Sequence, residues 1–496
     1  MYTNRGWIMK RTALSFNKTA LIDVHTGESW TYATLEHRIL RWASLFSQNK
    51  YEIGERIAVL SPNNPELFAI MFACEMKGLI YVPLNWRLSL FELTMLIEDC
   101  EPATLIYHEQ FASNVQQMKV LNPTSLTAVE SIQLQASRCE MIEAAEEDPW
   151  MMIYTGGTTG LSKGVVLSYD AVNWNALNTI TSWGLSDADI TVNYMPLFHT
   201  GGINALSIPI LMAGGQVVIG NVFDAEEALT TSNTYGATIS LFVPTMYQAM
   251  VNTPYFQQAT FPTMKVFLSG GAPCPLSIYH RFFDKGLNFK EGYGLTEAGP
   301  NNFYMEIERA RVKIGSVGKS MLFNDVKVVK NDGTLCSVSE VGELYIKGRH
   351  VFSSYWRKPR DTMNTLVDGW LRTGDLAKVD NEGDYYIVGR KKDIIISGGE
   401  NVYPQEVEQC LIRFKGIAEA AVIGKKDAVW GEVVTAFITV TDGHTFNEKH
   451  MIQHCRNFLG GYKIPKEVIV LPNLPKTDVG KIDHNALHGL MYMRDK

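Results

Sequence analysis

No apolar run in this 496-residue sequence approaches the ~18–20 residues that a helix needs to cross a bilayer, so no membrane-spanning helix is expected. The opening stretch, MYTNRGWIMKRTALSFNKTALID, carries basic residues but lacks the apolar core of a secretory signal. Cysteine is sparse. The seven residues (Cys74, Cys100, Cys139, Cys274, Cys336, Cys410 and Cys455) are scattered without a C-x-x-C pair, which argues against zinc or disulfides and for free thiols in a reducing cytoplasm. A surplus of positive charge is also missing. Lys and Arg number 45 against 52 Asp and Glu, a net charge of −7, which argues against a general nucleic-acid binder with a basic face. There is no internal repeat and no low-complexity tract.

What is present is an ordinary globular composition, 46% hydrophobic and 20% charged. The length allows about three domains of ~150 residues, or two unequal ones. Short apolar strands alternate with helical segments through the first 390 residues. RIAVLS (56–61) is followed by a helical stretch with Pro65 at its start and Gly78 at its end, then by IYVPLN (80–85). ATLIYH, TVNYMP, GGQVVIG, ATISLFVP and MKVFLSGG repeat the strand pattern. Apolar strands without strict alternation point to sheets covered by helices on both faces. After about residue 311 the texture changes to hairpins, VGELYIKG and LAKVDNEGDYYIVGR, and from Asp393 a smaller unit follows.

One stretch asks for chemistry. YTGGTTGLSKGV (154–165) holds four glycines, three threonines, a serine and a lysine, the composition of a loop that cradles phosphate with backbone N–H groups and one cation. It is not a P-loop, which needs glycine directly before the lysine and a hydroxyl directly after it. Here Lys163 sits between Ser162 and Gly164. EGYGLTEAGPNN (291–302) sets Thr296 beside Glu297, LRTGDLA (371–377) sets Asp375 after a glycine turn, and PKTDVGKI (475–482) presents Lys481 after a glycine. Taken singly, each of these reads as a solvated turn.

Taken together, in this order, they resemble the acyl-adenylate-forming superfamily of acyl- and aryl-CoA synthetases, peptide-synthetase adenylation domains and firefly-type luciferases. The resemblance covers nearly the whole chain and rests on YTGGTTGLSKGV, MPLFHTGG, SGGAP, YGLTE, GWLRTGDLA, YIVGRKKDIIISGGENVYPQEVE and PKTDVGKI. It implies an α/β fold. Residues 1–391 form a large N-terminal domain of covered, mostly parallel β-sheets with a small β subdomain; residues 392–496 form a smaller, mobile α+β C-terminal domain. It also implies a reaction using ATP, Mg2+ and coenzyme A: a carboxylate attacks the α-phosphorus, giving acyl-AMP and pyrophosphate, and a thiol then displaces AMP.

The resemblance implies residue roles as well. Thr155, Thr158, Thr159, Gly160 and Lys163 embrace the β- and γ-phosphates, while Glu297 and Thr296 complete the magnesium and α-phosphate site. Tyr293, with Gly294 beside it, stacks on adenine, and Gly270, Gly271, Ala272 and Pro273 run along the base edge. Asp375 accepts both ribose hydroxyls with Arg390 assisting. Lys481 reaches the oxygens joining carboxylate and phosphate, Lys392 is the hinge, Gly399 lines a thiol tunnel, and His199 gates it. Two positions depart from the commonest phosphate loop: Gly156 replaces a hydroxyl residue and Ser162 a proline, which alters loop dynamics rather than function.

HTGGINALSIPILMAGG (199–215) is expected to form the helix after the gate, and its uncharged, aliphatic composition favours a medium- or long-chain fatty acid. Aryl acids such as cinnamates, benzoates or succinylbenzoate are the alternative. Amino-acid adenylation domains usually carry Phe-Asp where this chain has Phe198-His199, and no carrier segment follows Lys496. A luciferase-like oxygenase and a non-catalytic nucleotide switch are the remaining readings. The expected partners are a small carboxylic acid, ATP and CoA, without nucleic acid. Oligomeric state is left open, and so is peripheral membrane contact.

Overall fold

The computed structural model describes residues 5–118, 120, 122–132, 140–155, 162–427, 429–441, 443–477 and 480–494. Cys139, Gly156, Thr158, Thr159 and Gly160 lie outside the described residues.

The alternation of apolar strand and helix folds into two seven-stranded sheets with helices between them. One runs Phe289–Glu291, Val266–Ser269, Ile239–Phe242, Ile190–Asn193, Gln216–Ile219, Thr19–Asp23, Ser29–Thr31, parallel except at its last pair. The other runs Ser354–Tyr355, Lys163–Ser168, Pro149–Thr155, Ile80–Pro83, Arg56–Leu60, Thr104–Tyr107, Thr124–Ser125, antiparallel only at its first two pairs. Helix Glu66–Lys77 starts after Pro65 and ends at Gly78, whose N–H donates to the Cys74 and Glu75 carbonyls. It is apolar all round because it is buried between the sheets; Glu66 through Met76 are all buried. Most of the large core cluster, including Trp42, Phe68, Phe72 and Trp150, fills this interlayer.

Strand direction places the chemistry. In α/β sheets ligands bind beyond the carboxyl ends of strands, where backbone groups are free to turn toward a ligand. Val266–Ser269 runs into Gly270–Pro273, Phe289–Glu291 into Gly292–Thr296, Ile190–Asn193 into the segment ending at His199, and Pro149–Thr155 into the phosphate-loop segment. Asn63, at the end of Arg56–Leu60, ties the two sheets together there. Its side-chain amide donates to the Met195 and Gly220 carbonyls (3.0 and 3.1 Å) and accepts from the Leu197 N–H (2.9 Å).

A five-stranded antiparallel sheet follows, in the order Asp325–Val329, Gly342–Lys347, Trp370–Val379, Leu366–Val367, with Tyr385–Arg390 also on Trp370–Val379. LAKVDNEGDYYIVGR forms the expected hairpin here, whereas VGELYIKG is a single strand, Gly342–Lys347, paired with Asp325–Val329 and Trp370–Val379. The C-terminal part, from Ile395, forms a separate five-stranded sheet built on the long hairpin Ile417–Asp427/Gly431–Val440. Helices Pro404–Ile412 and Glu448–Phe458 pack on one face, and His484–Arg494 contributes Leu487 and Met491 to the other. The fold is thus mixed α/β, with a large N-terminal domain of mostly parallel sheets and a small C-terminal domain. No helix among the described residues is long and apolar enough to cross a membrane.

Two more local expectations need correction. Asp375 lies within the strand Trp370–Val379 rather than in a turn; Gly374 (φ +70°, a conformation that favours glycine) sits inside the register shift between Arg372 and Leu376. And the stretch after His199 is two short helices, Thr200–Asn204 and Ser207–Ala213, instead of one. Pro209 has no N–H to give to the Ala205 carbonyl, so the chain breaks at Ala205–Leu206.

Candidate active site

The hairpin carrying Asp375 sets it directly across the ladder from Arg390. Arg390 Nε lies 2.7 Å from Asp375 Oδ1, and the Tyr293 hydroxyl donates to Oδ2 at 2.5 Å. The Thr373 hydroxyl fixes the backbone beside them, accepting the Asp375 N–H (3.0 Å) and donating to the Leu344 carbonyl (2.7 Å). Asp375 is only 4% exposed. Burial pushes its carboxyl up, with Arg390 and the Tyr293 hydroxyl pulling the other way. Tyr293 in turn is held by the Asn302 N–H on its carbonyl (3.1 Å), and Gly294 packs so closely on the Pro300 backbone that a Cβ would come within 2.2 Å of it.

Lys481 enters this cluster from the C-terminal domain. The Thr477 N–H donates to the Lys481 carbonyl (2.7 Å), and Gly480 (φ +78°) faces Thr245 of the helix Pro244–Val251, where a Cβ would stand 2.7 Å from its hydroxyl. Lys481 Cε passes beside Gly271, and its ammonium feels both Arg390 and Asp375. Desolvation around the ammonium lowers the lysine pKa even though the residue as a whole is exposed, Arg390 lowers it further, and Asp375 opposes. His199 caps the other side. Its Nε2 is buried without a hydrogen-bond partner, and burial, with Lys481 and Arg87, depresses the imidazole to about 4, so the ring is neutral at pH 7.

Asp375, Arg390, Tyr293, Gly271, Lys481 and His199 therefore converge on one place, whereas two expected residues stand elsewhere. Lys392 is exposed in the turn Lys391–Asp393, and Gly399 (φ +84°) is in an exposed hairpin turn with open space where a side chain would be. Ala272 and Pro273 continue the loop after Gly271, with Ala272 half-buried and Pro273 exposed.

Thr296 and Glu297 form a short 3-10 turn, with Thr296 buried. Thr155 and Lys163 pair across the strands Pro149–Thr155 and Lys163–Ser168. The sequence reading missed the segment that joins these groups. Strand Ser354–Tyr355 adds to the edge of Lys163–Ser168, and from it the Tyr355 hydroxyl donates to Glu297 Oε1 at 2.8 Å. The helix Pro359–Thr365 that follows sets Asp361 Oδ2 2.7 Å from Lys163 Nζ, which also lies 5.1 Å from the Tyr355 ring centre. The only signal in the sequence is SYWRKPRD, a basic and aromatic stretch with no spacing that singles out Tyr355 or Asp361.

No group of three or more His, Cys, Asp or Glu side chains able to hold a metal occurs among the described residues. A single carboxylate, Glu297, fits magnesium, which keeps much of its water and relies on substrate phosphates for its remaining ligands.

Beyond His199 and beyond Glu297 the two exiting segments are joined by buried amides. Asn175 donates to the Asn204 carbonyl (2.7 Å), Asn204 to the Thr200 hydroxyl (3.0 Å), and Asn301 to Thr179 (3.0 Å) and to the Ala205 carbonyl (2.7 Å). The side-chain oxygens Oδ1 of Asn175 and Asn204 have no partner. Asn302 continues the network to His350 (2.9 Å), a buried ring depressed to about 4 by burial. Charging His350 is disfavoured in the fold, so stability is full above the unfolded value near 6.5 and declines as pH falls from there through about 4. His350→Gln is expected to flatten that decline, read as Tm against pH; an unchanged slope would clear His350 of the effect.

The profile of the AMP-binding enzyme family matches residues 10–356, and that of the AMP-binding enzyme C-terminal domain matches residues 406–481. A feruloyl-CoA synthase of Amycolatopsis sp is 35% identical over 96% of both chains. A long-chain-fatty-acid–CoA ligase of Mycobacterium tuberculosis is 31% identical over 97% of both. Among solved structures, the o-succinylbenzoate CoA synthetase of Bacillus subtilis in complex with its acyl-adenylate intermediate superimposes with a TM-score of 0.88. That protein is 29% identical, and the match covers 97% of this chain and 98% of the other.

Proposed function

The chain belongs to the AMP-binding enzyme family and is an AMP-forming CoA ligase; on that premise we propose that it joins an aryl acid to coenzyme A through an acyl-AMP intermediate. The observation that carries the reaction is the entry of Lys481 into the cluster of Asp375, Arg390 and Tyr293.

In this reading Asp375 and Arg390 hold the ribose, and Tyr293 and Gly271 to Pro273 flank the adenine. Thr155, Thr158, Thr159, Gly160 and Lys163 hold the phosphates, with Thr296 at the α-phosphate. Glu297 would hold magnesium, which when bound would neutralise charge on the phosphates. Nucleotidyl transfer asks the protein mainly for alignment and charge, and no nucleophilic side chain is required. Lys481 is aimed at the oxygens where negative charge grows as carboxylate and α-phosphorus join. His199, neutral and lacking a partner on Nε2, stands where the acyl carboxylate enters and can orient it without adding charge. The domains divide between residues 391 and 392. Rotation at Lys392 would withdraw Lys481 and bring Gly399, whose open side admits a thiol arm, to the adenylate.

The acid is assigned from the amide network. The side-chain oxygens of Asn175 and Asn204 are buried without a partner, so a ligand group able to donate to them would supply a missing hydrogen bond, which an alkyl chain cannot do. An aryl acid with a polar ring edge can donate to them. The feruloyl-CoA and succinylbenzoate relatives support this reading, and the fatty-acid relative supports the alternative.

The test is a product assay with ATP, magnesium, CoA and a panel of aryl and fatty acids. AMP and pyrophosphate should appear fastest with aryl acids. A saturated fatty acid as the best substrate would overturn the acid assignment and leave the reaction class standing; ADP and phosphate would overturn both.

A further inference from the structure

The segment that the sequence reading missed holds two parts of the phosphate site at once. Tyr355 is placed by its strand pairing with Val165 and by its N–H, which donates to the Thr362 hydroxyl (2.9 Å). The next residue is fixed too, since the Trp356 N–H donates to the Gly164 carbonyl (2.7 Å), one residue from Lys163. The Thr362 hydroxyl closes the turn by donating to the Lys358 carbonyl (3.0 Å). Asp361 is therefore presented to Lys163 by a frame stitched to the same strand that carries Lys163.

The pair itself is not locked. The side chains of Lys163 and Asp361 are 29% and 40% exposed, so either can rotate toward water, and half-exposed pairs of this kind are weak. A lysine ammonium is a point charge that can be drawn to any close anion. Asp361 and a nucleotide phosphate carry the same sign and would share one cation.

We propose that Asp361 competes with nucleotide phosphate for Lys163, and so sets how tightly ATP and pyrophosphate are held. This rests on the reading of Lys163 as a phosphate ligand given above. ATP must take the ammonium from Asp361 to be bound fully, and the carboxylate left nearby repels the pyrophosphate once it is cleaved. Asp361 is in this sense a positioning residue that favours product release at a small cost in substrate affinity. A carboxylate that merely steadied Lys163 would have the opposite effect, because removing it would loosen the lysine and weaken both ligands.

Calorimetric titration of the full-length protein with pyrophosphate, and with magnesium and ATP in the absence of acid, separates these cases. Asp361→Asn should bind both ligands about three- to fivefold more tightly, the worth of one partly exposed ion pair. It should also be inhibited correspondingly more by pyrophosphate in turnover, with the KM for the acid unchanged. Asp361→Glu keeps the charge and should behave as wild type. Equal or weaker binding by Asp361→Asn overturns the proposal. Should that variant melt early, Asp361→Ser removes the same charge and is read the same way. Wild-type protein that binds neither ATP nor pyrophosphate would instead defeat the reading of the site itself.

Discussion

Replacing Lys481 by alanine is expected to cut formation of acyl-AMP by about 10²–10³, the usual worth of a donor aimed at developing charge in a water-poor site. Lys481 is exposed as a residue, but its ammonium interacts with Arg390, Asp375 and His199, and only Asp375 favours its charge there. That placement is unfavourable for a free ammonium and becomes favourable when an anionic oxygen pair arrives. The second half-reaction should survive, because thiol attack on a preformed adenylate does not need this cation. The measurement is AMP release from acid and ATP, set beside thioester formation from supplied acyl-AMP and CoA. Equal loss in both would mean that Lys481 holds the fold together rather than serving one step.

Asp375→Ala is expected to raise the KM for ATP on the order of 10²-fold, since each hydrogen bond from a ribose hydroxyl to a charged acceptor is worth ~1.5–3 kcal/mol. The carboxylate is already arranged to accept such bonds. It is buried, held by Arg390 on one oxygen and by Tyr293 on the other, and backed by Thr373. The sharper readout is 3′-deoxy-ATP. Wild-type enzyme should discriminate against it, whereas the variant should treat the two nucleotides nearly alike, because the group that read the hydroxyl has gone. Discrimination that persists in Asp375→Ala would move ribose recognition to another residue. Pyrophosphate affinity should be untouched in either case.

The helix Glu66–Lys77 was legible because its ends are marked by residues with restricted or special backbones, Pro65 and Gly78, and its length by one continuous apolar run. The hairpin ending at Arg390 was legible from DNEGD, a local turn signal. The break at Ala205–Leu206 was written in Pro209 but masked by the apolar run around it. Tyr355 and Asp361 were not legible at all. Tyr355 reaches Glu297 across 58 positions, and Asp361 meets Lys163 only because Ser354–Tyr355 joins the edge of Lys163–Ser168 in one register. A two-residue strand has too short a pattern to announce its partner. The same holds for Asn63, whose single amide bridges two sheets through contacts more than 130 positions away in the chain.

The reaction family is written in the chain itself. The phosphate loop, the adenine and ribose stretches and the Lys481 turn are short segments whose glycines, threonines and charges act through local backbone geometry, and local geometry survives in one dimension. What surrounds them came from packing: the buried amides that join the segments after His199 and after Glu297, the partner that Lys163 keeps, and the burial that leaves His199 neutral. These depend on which distant strands share an edge and on how much water packing removes, and neither quantity has a period or a spacing along the chain.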